Sequence, residues 1–260
     1  MPTQPFRERR VAESFGVDSD RYDRTRPRYP ADLINRLAAP EVLDVGIGTG
    51  IVARQLRAAG AHVTGVEPDP RMAAFARDSG FEVEVATFEQ WDPRGRTFDA
   101  VVAGQTWHWV DPEAGATKAA SVLRPGGRLA LFWNAGQPAP EAAAAFADVF
   151  HRLMPGSRMA AAYQGSVSAA QGYAALVDQA DAVTRATGTF SPFERWSYEW
   201  ERTYTRDEWL DQLPTQGLLT TLPADEMAAL LSATGAAVDA LGGSFLMRFT
   251  TLATVASRLS

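Results

Sequence analysis

Three glycines at alternate positions are the first residues whose type and spacing could do chemistry. Gly46, Gly48 and Gly50 lie in the segment VLDVGIGTG (residues 42–50), after a short apolar run that contains Asp44. Glycine adopts positive φ freely and lets a ligand approach the backbone with no side chain in between. If the segment ends a strand and opens a helix, the N–H groups of the first helical turn are free to bind that ligand. The pattern therefore predicts a cofactor-binding loop.

The spacing of these glycines bears on the identity of the cofactor. A dinucleotide-binding loop has the spacing G-x-G-x-x-G, which in this register requires a glycine at position 51. That position holds Ile51, and the third glycine comes one residue earlier, at Gly50. The spacing therefore disfavours a nicotinamide or flavin dinucleotide and, with it, a reductase.

A second acidic residue follows at the end of the next apolar run, HVTGVE (residues 62–67), where Glu67 is the last residue. A carboxylate accepts two hydrogen bonds side by side, which suits the two hydroxyls of a ribose. Glu67 is therefore expected to bind the ribose of the cofactor. It does not discriminate between cofactors, because dinucleotide-binding folds carry an acidic residue at the same place.

His108 is the candidate for acid–base chemistry. It lies in the segment WHW (residues 107–109), after the predicted fourth strand. The pKa of an unperturbed imidazole is close to working pH, so His108 is a candidate general base or a donor that positions a substrate. The alternative is a structural role, in which His108 caps the following helix.

The composition excludes several classes of function. The 260 residues carry 25 basic and 31 acidic side chains, a net charge of −6, which argues against a general nucleic-acid surface. The absence of cysteine excludes disulfides and a thiolate nucleophile, and only three histidines occur, so we expect no metal centre. No signal-peptide pattern and no run of about 20 apolar residues is found, so we expect a cytoplasmic protein without a membrane span.

Short apolar runs alternate with helical patterns through the middle of the chain. Strands are predicted at 42–46, 62–67, 81–86, 98–104 and 128–134, and the intervening helices close on Gly60, Gly80 and Gly126. Such alternation predicts a parallel sheet with helices on both faces. The pocket is then expected beyond the carboxyl ends of the strands.

The alternation of predicted strands and helices stops after residue 134. Two helical stretches without an intervening strand predict a helical insertion, and strands are predicted again at 194–205 and 245–257. We therefore expect four parts. These are an N-terminal lid segment (1–40), a cofactor-binding core (41–134), a helical insertion covering the substrate (135–193) and a C-terminal part completing the sheet (194–260).

These motifs resemble, in order and spacing, the class I S-adenosylmethionine-dependent methyltransferases. The glycine segment resembles their first motif, and YDRTRPRYP (residues 22–30) resembles the lid segment of the ubiquinone-biosynthesis-type and trans-aconitate-type subgroup. The segments ATFEQWD, FDAVVAGQTWHWVDP and VLRPGGRLALFWN resemble the later motifs. The resemblance implies an α/β fold with a Rossmann-like doubly wound sheet of seven strands, the last antiparallel, and a helical insertion after strand five.

The resemblance also implies a cofactor, S-adenosylmethionine, with S-adenosylhomocysteine as product. The residues expected to bind it are Tyr22, Arg26, Asp44, Gly46, Ile47, Gly48, Gly50, Glu67, Pro68, Met72, Thr87, Phe88, Glu89 and Gln105. Met72, Thr87, Phe88 and Glu89 are expected around the adenine, although Thr87 stands where the family often has aspartate. Arg26 could pair with the carboxylate of the cofactor or be solvated, and Asp44 could face its ammonium group or support the loop.

The expected function is methyl transfer to an oxygen, nitrogen or carbon atom of a small molecule. His108 is the expected catalytic residue, and the residues expected to contact the acceptor are Tyr29, Trp107, Trp109, Trp133 and Asn134. Core packing is the alternative for at least one of the two tryptophans that flank His108. The alternative function is binding of S-adenosylmethionine or S-adenosylhomocysteine without methyl transfer, as an isomerase, a cyclase or a regulatory module. No nucleic-acid or membrane partner is expected, and the oligomeric state is left open.

Overall fold

The computed structural model describes residues 14–163 and 169–260. Two parts of the predicted segments lie outside this range, residues 1–13 of the lid segment and residues 164–168 of the insertion. In chain order the elements are α1 (Ser19–Thr25), α2 (Ala31–Leu37), β1 (Glu41–Val45), α3 (Ile51–Ala58), β2 (His62–Glu67), α4 (Pro70–Asp78), β3 (Glu82–Val85), β4 (Phe98–Gly104), α5 (Pro112–Val122), β5 (Leu123–Pro138), α6 (Pro140–Leu153), α7 (Arg158–Tyr163), α8 (Ala169–Ala186), β6 (Glu194–Thr205), α9 (Arg206–Gln212), α10 (Ala224–Ala240) and β7 (Ser244–Ser257). Short 3-10 helices span Phe15–Asp18, Trp107–Trp109, Leu213–Thr215 and Gly217–Thr221.

The strands of the described residues form one seven-stranded sheet in the order β3-β2-β1-β4-β5-β7-β6. The first five strands along the chain pair in parallel, and β7 runs antiparallel to both of its neighbours. The predicted fold class is therefore confirmed, including the antiparallel last strand. The strand order reverses between β1 and β4, and a crevice opens at such a switch point outside the carboxyl ends of the strands.

Alternating residues of the central strands pack into two cores, one on each face of the sheet. Val42, Val102 and Phe132 belong to one core, which helices α2 and α3 cover. Their chain neighbours Leu43 and Val101 belong to the other. Successive side chains of a strand point to opposite faces, so runs that are apolar throughout are what a sheet covered on both sides requires.

A third core lies under the far part of the sheet. Phe146 of α6, Trp209 of α9 and Phe245 of β7 pack there, with the two ring centroids of Phe146 and Trp209 5.8 Å apart. Strand β5 is longer than the predicted 128–134, because it pairs with β7 without interruption as far as Pro138. The boundary expected at residue 134 thus falls inside a strand.

The glycine segment is fixed to the sheet through β2. The N–H groups of Gly46 and Ile47 both donate to the carbonyl of Val66, at 2.8 and 3.2 Å. The side chain of Ile47 occupies the space beside Gly65, where an added Cβ would lie 2.6 Å from its Cδ1 atom. Because Gly65 has no side chain, Ile47 packs directly on β2, and this contact sets the distance between the loop and the sheet.

Replacing Gly65 with alanine tests this packing. We expect Gly65→Ala to lower the free energy of unfolding by about 1–3 kcal/mol, because a methyl group there overpacks a filled core. The matched control is Gly172→Ala in α8, where an added Cβ meets no described atom within 4 Å. Alanine is the better helix former, so this variant should gain about 0.5–1 kcal/mol. Urea unfolding measures both, and equal effects would contradict the packing argument.

Candidate functional site

A cavity of about 290 Å³ opens at the carboxyl ends of β1 and β4. The switch point of the sheet forms its floor, and the N-terminal segment and helix α8 contribute walls. Of the residues predicted from the sequence, those that line the cavity are Tyr22, Arg26, Tyr29, Asp44, Gly46, Ile47, Gly48, Glu67, Pro68, Met72, Gln105, His108, Trp109 and Asn134. The predicted residues outside its lining are Gly50, Thr87, Phe88, Glu89, Trp107 and Trp133.

The glycine loop has the left-handed backbone that its composition predicts. The φ angles of Gly46, Gly48 and Gly50 are 65°, 57° and 87°. A Cβ on Gly46 would lie 2.3 Å from the side chain of Thr106, which packs on the loop from the end of β4. Gly50 is the residue immediately before α3, so it shapes the turn into the helix and does not line the cavity.

Glu67 joins the end of β2 to this loop. One carboxylate oxygen accepts a hydrogen bond from the N–H of Gly48 at 2.9 Å, and the other accepts one from the N–H of Asp69 at 2.9 Å. Burial raises the pKa of Glu67 to about 7, although the two backbone N–H groups act in the opposite direction. Each oxygen retains a lone pair for a donor in the cavity.

Asp44 is the second buried carboxylate of the cavity. Its side chain is 1% exposed, and its Oδ2 atom has no hydrogen-bond partner among the described residues. Burial, and then the nearby charge of Glu67, raise the pKa of Asp44 well above its usual range. A buried carboxylate without a partner is costly, so this corner of the cavity favours a ligand that brings a positive charge or an N–H donor.

The lining of the cavity also includes a cation, Arg26. The guanidinium of Arg26 lies over the ring of Tyr22, with 5.1 Å between its Cζ atom and the ring centroid, and it forms no ion pair with a described residue. Helix α1 ends immediately before Arg26. Two ion pairs hold this helix in place, Asp23 with Arg54 and Arg24 with Asp211. Arg26 is thus held at the cavity and is available to an anionic group.

His108 is held by a tryptophan behind the cavity wall. The indole N–H of Trp133 donates to Nδ1 of His108 at 3.3 Å. An indole nitrogen can only donate, so Nδ1 must be unprotonated and the ring proton lies on Nε2. Burial also lowers the pKa of His108 to about 4. Of the two roles considered for His108, this geometry favours the neutral donor over the general base.

Two of the three tryptophans predicted to contact a substrate lie in the second core instead. Trp133 is fully buried and stacks on Tyr173, with ring centroids 6.2 Å apart. Trp107 is 4% exposed and packs against Phe88, also at 6.2 Å. Of the two tryptophans of the WHW segment, only Trp109 lines the cavity, where it contacts Phe15. Trp133 therefore acts on the cavity through Tyr173 and His108 rather than by direct contact.

The segment after β3, predicted to surround an adenine, also turns away from the cavity. Phe88 is 2% exposed in the second core, and Glu89 accepts a hydrogen bond from the N–H of Asp111 at 2.7 Å. The Oγ1 atom of Thr87 is buried without a partner among the described residues. The segment instead supports the loop that carries Trp107.

Gln105 and Asn134 line the cavity but are bonded to their surroundings. Gln105 has a φ angle of 57°, unusual for a residue other than glycine, and its amide donates to the carbonyl of Asn134 at 3.0 Å. The amide of Asn134 donates to the carbonyl of Arg28 at 3.2 Å and accepts from Thr251 at 2.6 Å. Residues with a strained backbone cluster at functional sites. The positive φ of Gln105 therefore indicates, independently of the glycine loop, that the cavity is a functional site.

Comparison with known proteins agrees with this arrangement. Residues 43–131 match the family of methyltransferase domains. The chain is 42% identical to an uncharacterized methyltransferase of Mycobacterium tuberculosis over 132 residues, 48% of this chain and 54% of the relative. It is 33% identical to the ubiquinone biosynthesis O-methyltransferase of Methylocella silvestris over 126 residues, 46% of each chain. After the family that they match, residues 43–131 are called the methyltransferase domain.

The chain spans about half the length of the curated relatives that it matches. A solved structure extends the likeness of the fold beyond the methyltransferase domain. A protein of Anaeromyxobacter dehalogenans described as a type II methyltransferase superposes with a TM-score of 0.61 at 24% identity, over 90% of this chain and 98% of its own. The likeness of fold thus extends over 90% of the chain, well beyond residues 43–131.

Sequence reasoning missed several residues that complete the cavity of the methyltransferase domain. They include Phe15, Thr49, Thr106, Tyr173 and Gly217. Tyr173 is the one aromatic residue of helix α8, and that composition was an available signal, since an insertion was already expected to cover the substrate. Gly217 carries no comparable signal, because only the tertiary fold brings residues 217–221 to the N-terminal segment.

No helix within residues 14–163 and 169–260 has the length and hydropathy needed to cross a lipid bilayer. The same part of the chain contains no group of three or more histidine, aspartate or glutamate side chains arranged to hold a metal ion.

The protonation of His108 can be observed directly, because the chain has only three histidines. We expect nitrogen NMR to find the proton of His108 on Nε2 and the ring still neutral when the pH falls from 7 to 5.5, since the pKa is lowered to about 4. The signals are assigned by their loss in His108→Gln. A ring that takes up a proton close to pH 6.5, or carries it on Nδ1, would contradict this assignment.

Trp133→Phe should abolish the tautomer preference of His108, because the donor to Nδ1 is removed. Trp107→Phe is the matched control. It also removes a buried indole beside His108, but the Nε1 atom of Trp107 has no hydrogen-bond partner among the described residues. The tautomer of His108 should persist in the control.

Proposed function

We propose that the protein is an S-adenosylmethionine-dependent methyltransferase that acts on a small molecule, the acceptor atom being oxygen, nitrogen or carbon. The observation that carries the proposal is a glycine loop facing two buried carboxylates, Asp44 and Glu67, inside one cavity. The names of the relatives, which are methyltransferases, support the reaction class. The methyltransferase domain contains the loop and both carboxylates.

The residues of the cavity fit the chemical groups of this cofactor. Glu67, with a free lone pair on each oxygen, would accept from the two ribose hydroxyls. The unpartnered Oδ2 of Asp44 suits the ammonium end of the methionine part. Arg26, which has no ion-pair partner among the described residues, suits its carboxylate, because guanidinium and carboxylate pair bidentately. Each charge of the ligand would thus meet an opposite charge on the protein.

The adenine would be held mainly by Pro68 and Met72, which line the cavity next to Glu67. Met72 is 4% exposed, and methionine packs well on aromatic rings. We do not assign Thr87, Phe88 or Glu89 to the adenine, since they lie outside the lining. Backbone groups of the loop would then supply the polar contacts.

The acceptor would bind at the other end of the cavity, between the N-terminal segment and helix α8. Tyr29, Trp109 and Tyr173 form aromatic walls there, and His108 offers the N–H of Nε2. When bound, the cofactor supplies a methyl group on a very good leaving group, so the main task of the protein is alignment. Tyr29 and Tyr173 suit this task, because both are packed against buried rings, those of Phe132 and Trp133.

The experiment that tests the reaction uses S-adenosylmethionine with an isotopically labelled methyl group. The protein is incubated with it and with a small-molecule extract of the source cells, and labelled products are sought by mass spectrometry. Label on a metabolite is expected, and it would identify the acceptor. Tight binding of the cofactor with no labelled product from any extract or acceptor panel would favour a binding protein that does not transfer methyl.

The cofactor site makes a separate prediction about pH. Burial raises the pKa of Glu67 to about 7, whereas donors from a bound ribose favour its ionised form. Binding of S-adenosylhomocysteine should therefore release a proton. As the pH rises towards 7, the affinity should increase by up to about tenfold per pH unit, and above pH 7 it should level off. Calorimetry in buffers of different ionisation enthalpy measures both effects.

Glu67→Gln should weaken this binding by about 1.5–3 kcal/mol at pH 8, where Glu67 is ionised. At and below pH 7 it should also remove the proton release that Glu67 contributes. Any proton release that remains would come from Asp44, whose pKa is also raised. Glu82→Gln, at an exposed position of β3, is the control and should keep the pH dependence. If Glu67→Gln behaves like the control, the ribose site lies elsewhere.

A further inference from the structure

Strand β6 leaves one long edge of the sheet open. It is the last strand in the sheet order, and among the described residues it pairs only with β7, over twelve residues from Glu194 to Thr205. Such an edge presents a row of free N–H and C=O groups that can pair with another chain. The side chains of Arg195, Ser197 and Glu199 along it are exposed.

The register of the β6–β7 pair identifies the residues with free backbone groups. Arg206, directly after β6, donates its N–H to the carbonyl of Gly243 at 2.9 Å. The pairing continues in the same register through Thr205 and Ser244. Bonded and non-bonded residues alternate in an antiparallel pair, so the even-numbered residues of β6 face β7. The odd-numbered residues, such as Ser197, direct their N–H and C=O groups to the open edge.

We propose that a second copy of this chain pairs with β6 in antiparallel fashion, about a two-fold axis that passes through Tyr198. In this register Arg195 lies opposite Glu201 of the second copy, and Glu194 lies opposite Arg202. Two-fold symmetry repeats both pairs, so four ion pairs of opposite charge form across the axis. Cross-strand pairs of opposite charge stabilise a sheet.

When the two-fold axis is placed at other residues of β6, the opposite charges of the two copies no longer face each other in this way. An axis at Glu199 or at Glu201 would set two carboxylates of the same residue against each other, and an axis at Arg195 would do the same with two guanidinium groups. An axis at Trp200 would set Glu199 against Glu201. An axis at Ser197 pairs Arg195 with Glu199 only. The order of charges along β6 therefore selects the axis at Tyr198.

The neighbouring side chains are compatible with the same axis. Trp196 lies opposite Trp200 of the second copy, and both are half-buried against their own chain, Trp196 under Arg36 and Trp200 on Phe249. Three of the four charged residues already have charged partners within the chain, Asp178 for Arg195, Arg248 for Glu201 and Glu208 for Arg202. The side chains of Arg195 and Glu201 remain more than half exposed, at 54% and 56%, and that of Arg202 is 32% exposed, so each can accept a second partner.

The absence of cysteine from the sequence makes a direct test possible. A residue on the axis faces its own copy at a Cα separation of about 4.5 Å, since Tyr198 belongs to a non-hydrogen-bonded pair, and a disulfide spans that distance. Tyr198→Cys should therefore be trapped as a covalent dimer by oxidised glutathione. The matched control is Thr203→Cys, which is exposed on the same strand but far from the axis, and it should not cross-link.

Sedimentation over a range of protein concentrations tests the interface without a new cysteine. Wild type is expected to be a dimer that weakens with added salt, because salt screens exposed charges. Glu201→Arg should be monomeric, and Arg195→Glu combined with Glu201→Arg should restore the dimer.

Both charge variants also lose contacts within the chain, so Ser197→Pro provides a second test. Its proline removes an N–H that faces the open edge and no bond to β7, and it should give a folded monomer, with unfolding transitions recorded for every variant. A wild type that is monomeric at all concentrations would overturn the proposal. Equal cross-linking of the two cysteine variants, or a dimer that Ser197→Pro leaves intact, would overturn it as well.

Discussion

Two carboxylates buried in neighbouring strands are the constraint on which the rest of the structure depends. Asp44 in β1 and Glu67 at the end of β2 lie in an apolar sheet, where an ionised group is costly without partners. The fold meets part of this demand with backbone N–H groups, those of Gly48 and Asp69, which both bond to Glu67. Asp44 is left with an unsatisfied oxygen. The glycine loop therefore helps to stabilise the buried carboxylate of Glu67, whereas Asp44 would gain a partner only from a ligand.

The same constraint explains why packing around the loop is so specific. Gly65 admits the side chain of Ile47, and Gly46 admits that of Thr106, so β2 and the end of β4 hold the loop from two sides. Added side chains at these glycines would displace the N–H of Gly48 from Glu67. Behind the wall, Trp133 fixes the ring of His108 by a hydrogen bond and that of Tyr173 by stacking. The surface of the cavity is thus positioned by residues that do not line it.

The sequence predicted the fold more completely than the lining of the cavity. Glu67 could be located because it ends a strand, and strand ends of a parallel sheet meet at one edge. Trp133 and Asn134 are adjacent, so alternation puts them on opposite faces, but it does not say which face the cavity takes. Thr87 lies outside the lining of the cavity, and spacing alone does not give the direction of a loop side chain. Tyr173 was missed because helix α8 reaches the cavity only through tertiary packing.

The floor and the entrance of the cavity are held by different forces. Apolar packing in the two cores of the sheet fixes the floor. Helix α1 in the N-terminal wall is fastened in addition by ion pairs at half-exposed positions, from Arg21 and Arg24 to Asp211. Salt weakens such pairs, whereas it leaves apolar packing intact or strengthens it. Ionic strength would therefore change how fast a ligand enters and leaves while the melting temperature of the sheet stays nearly constant, so kinetics and stability can be tuned separately in this molecule.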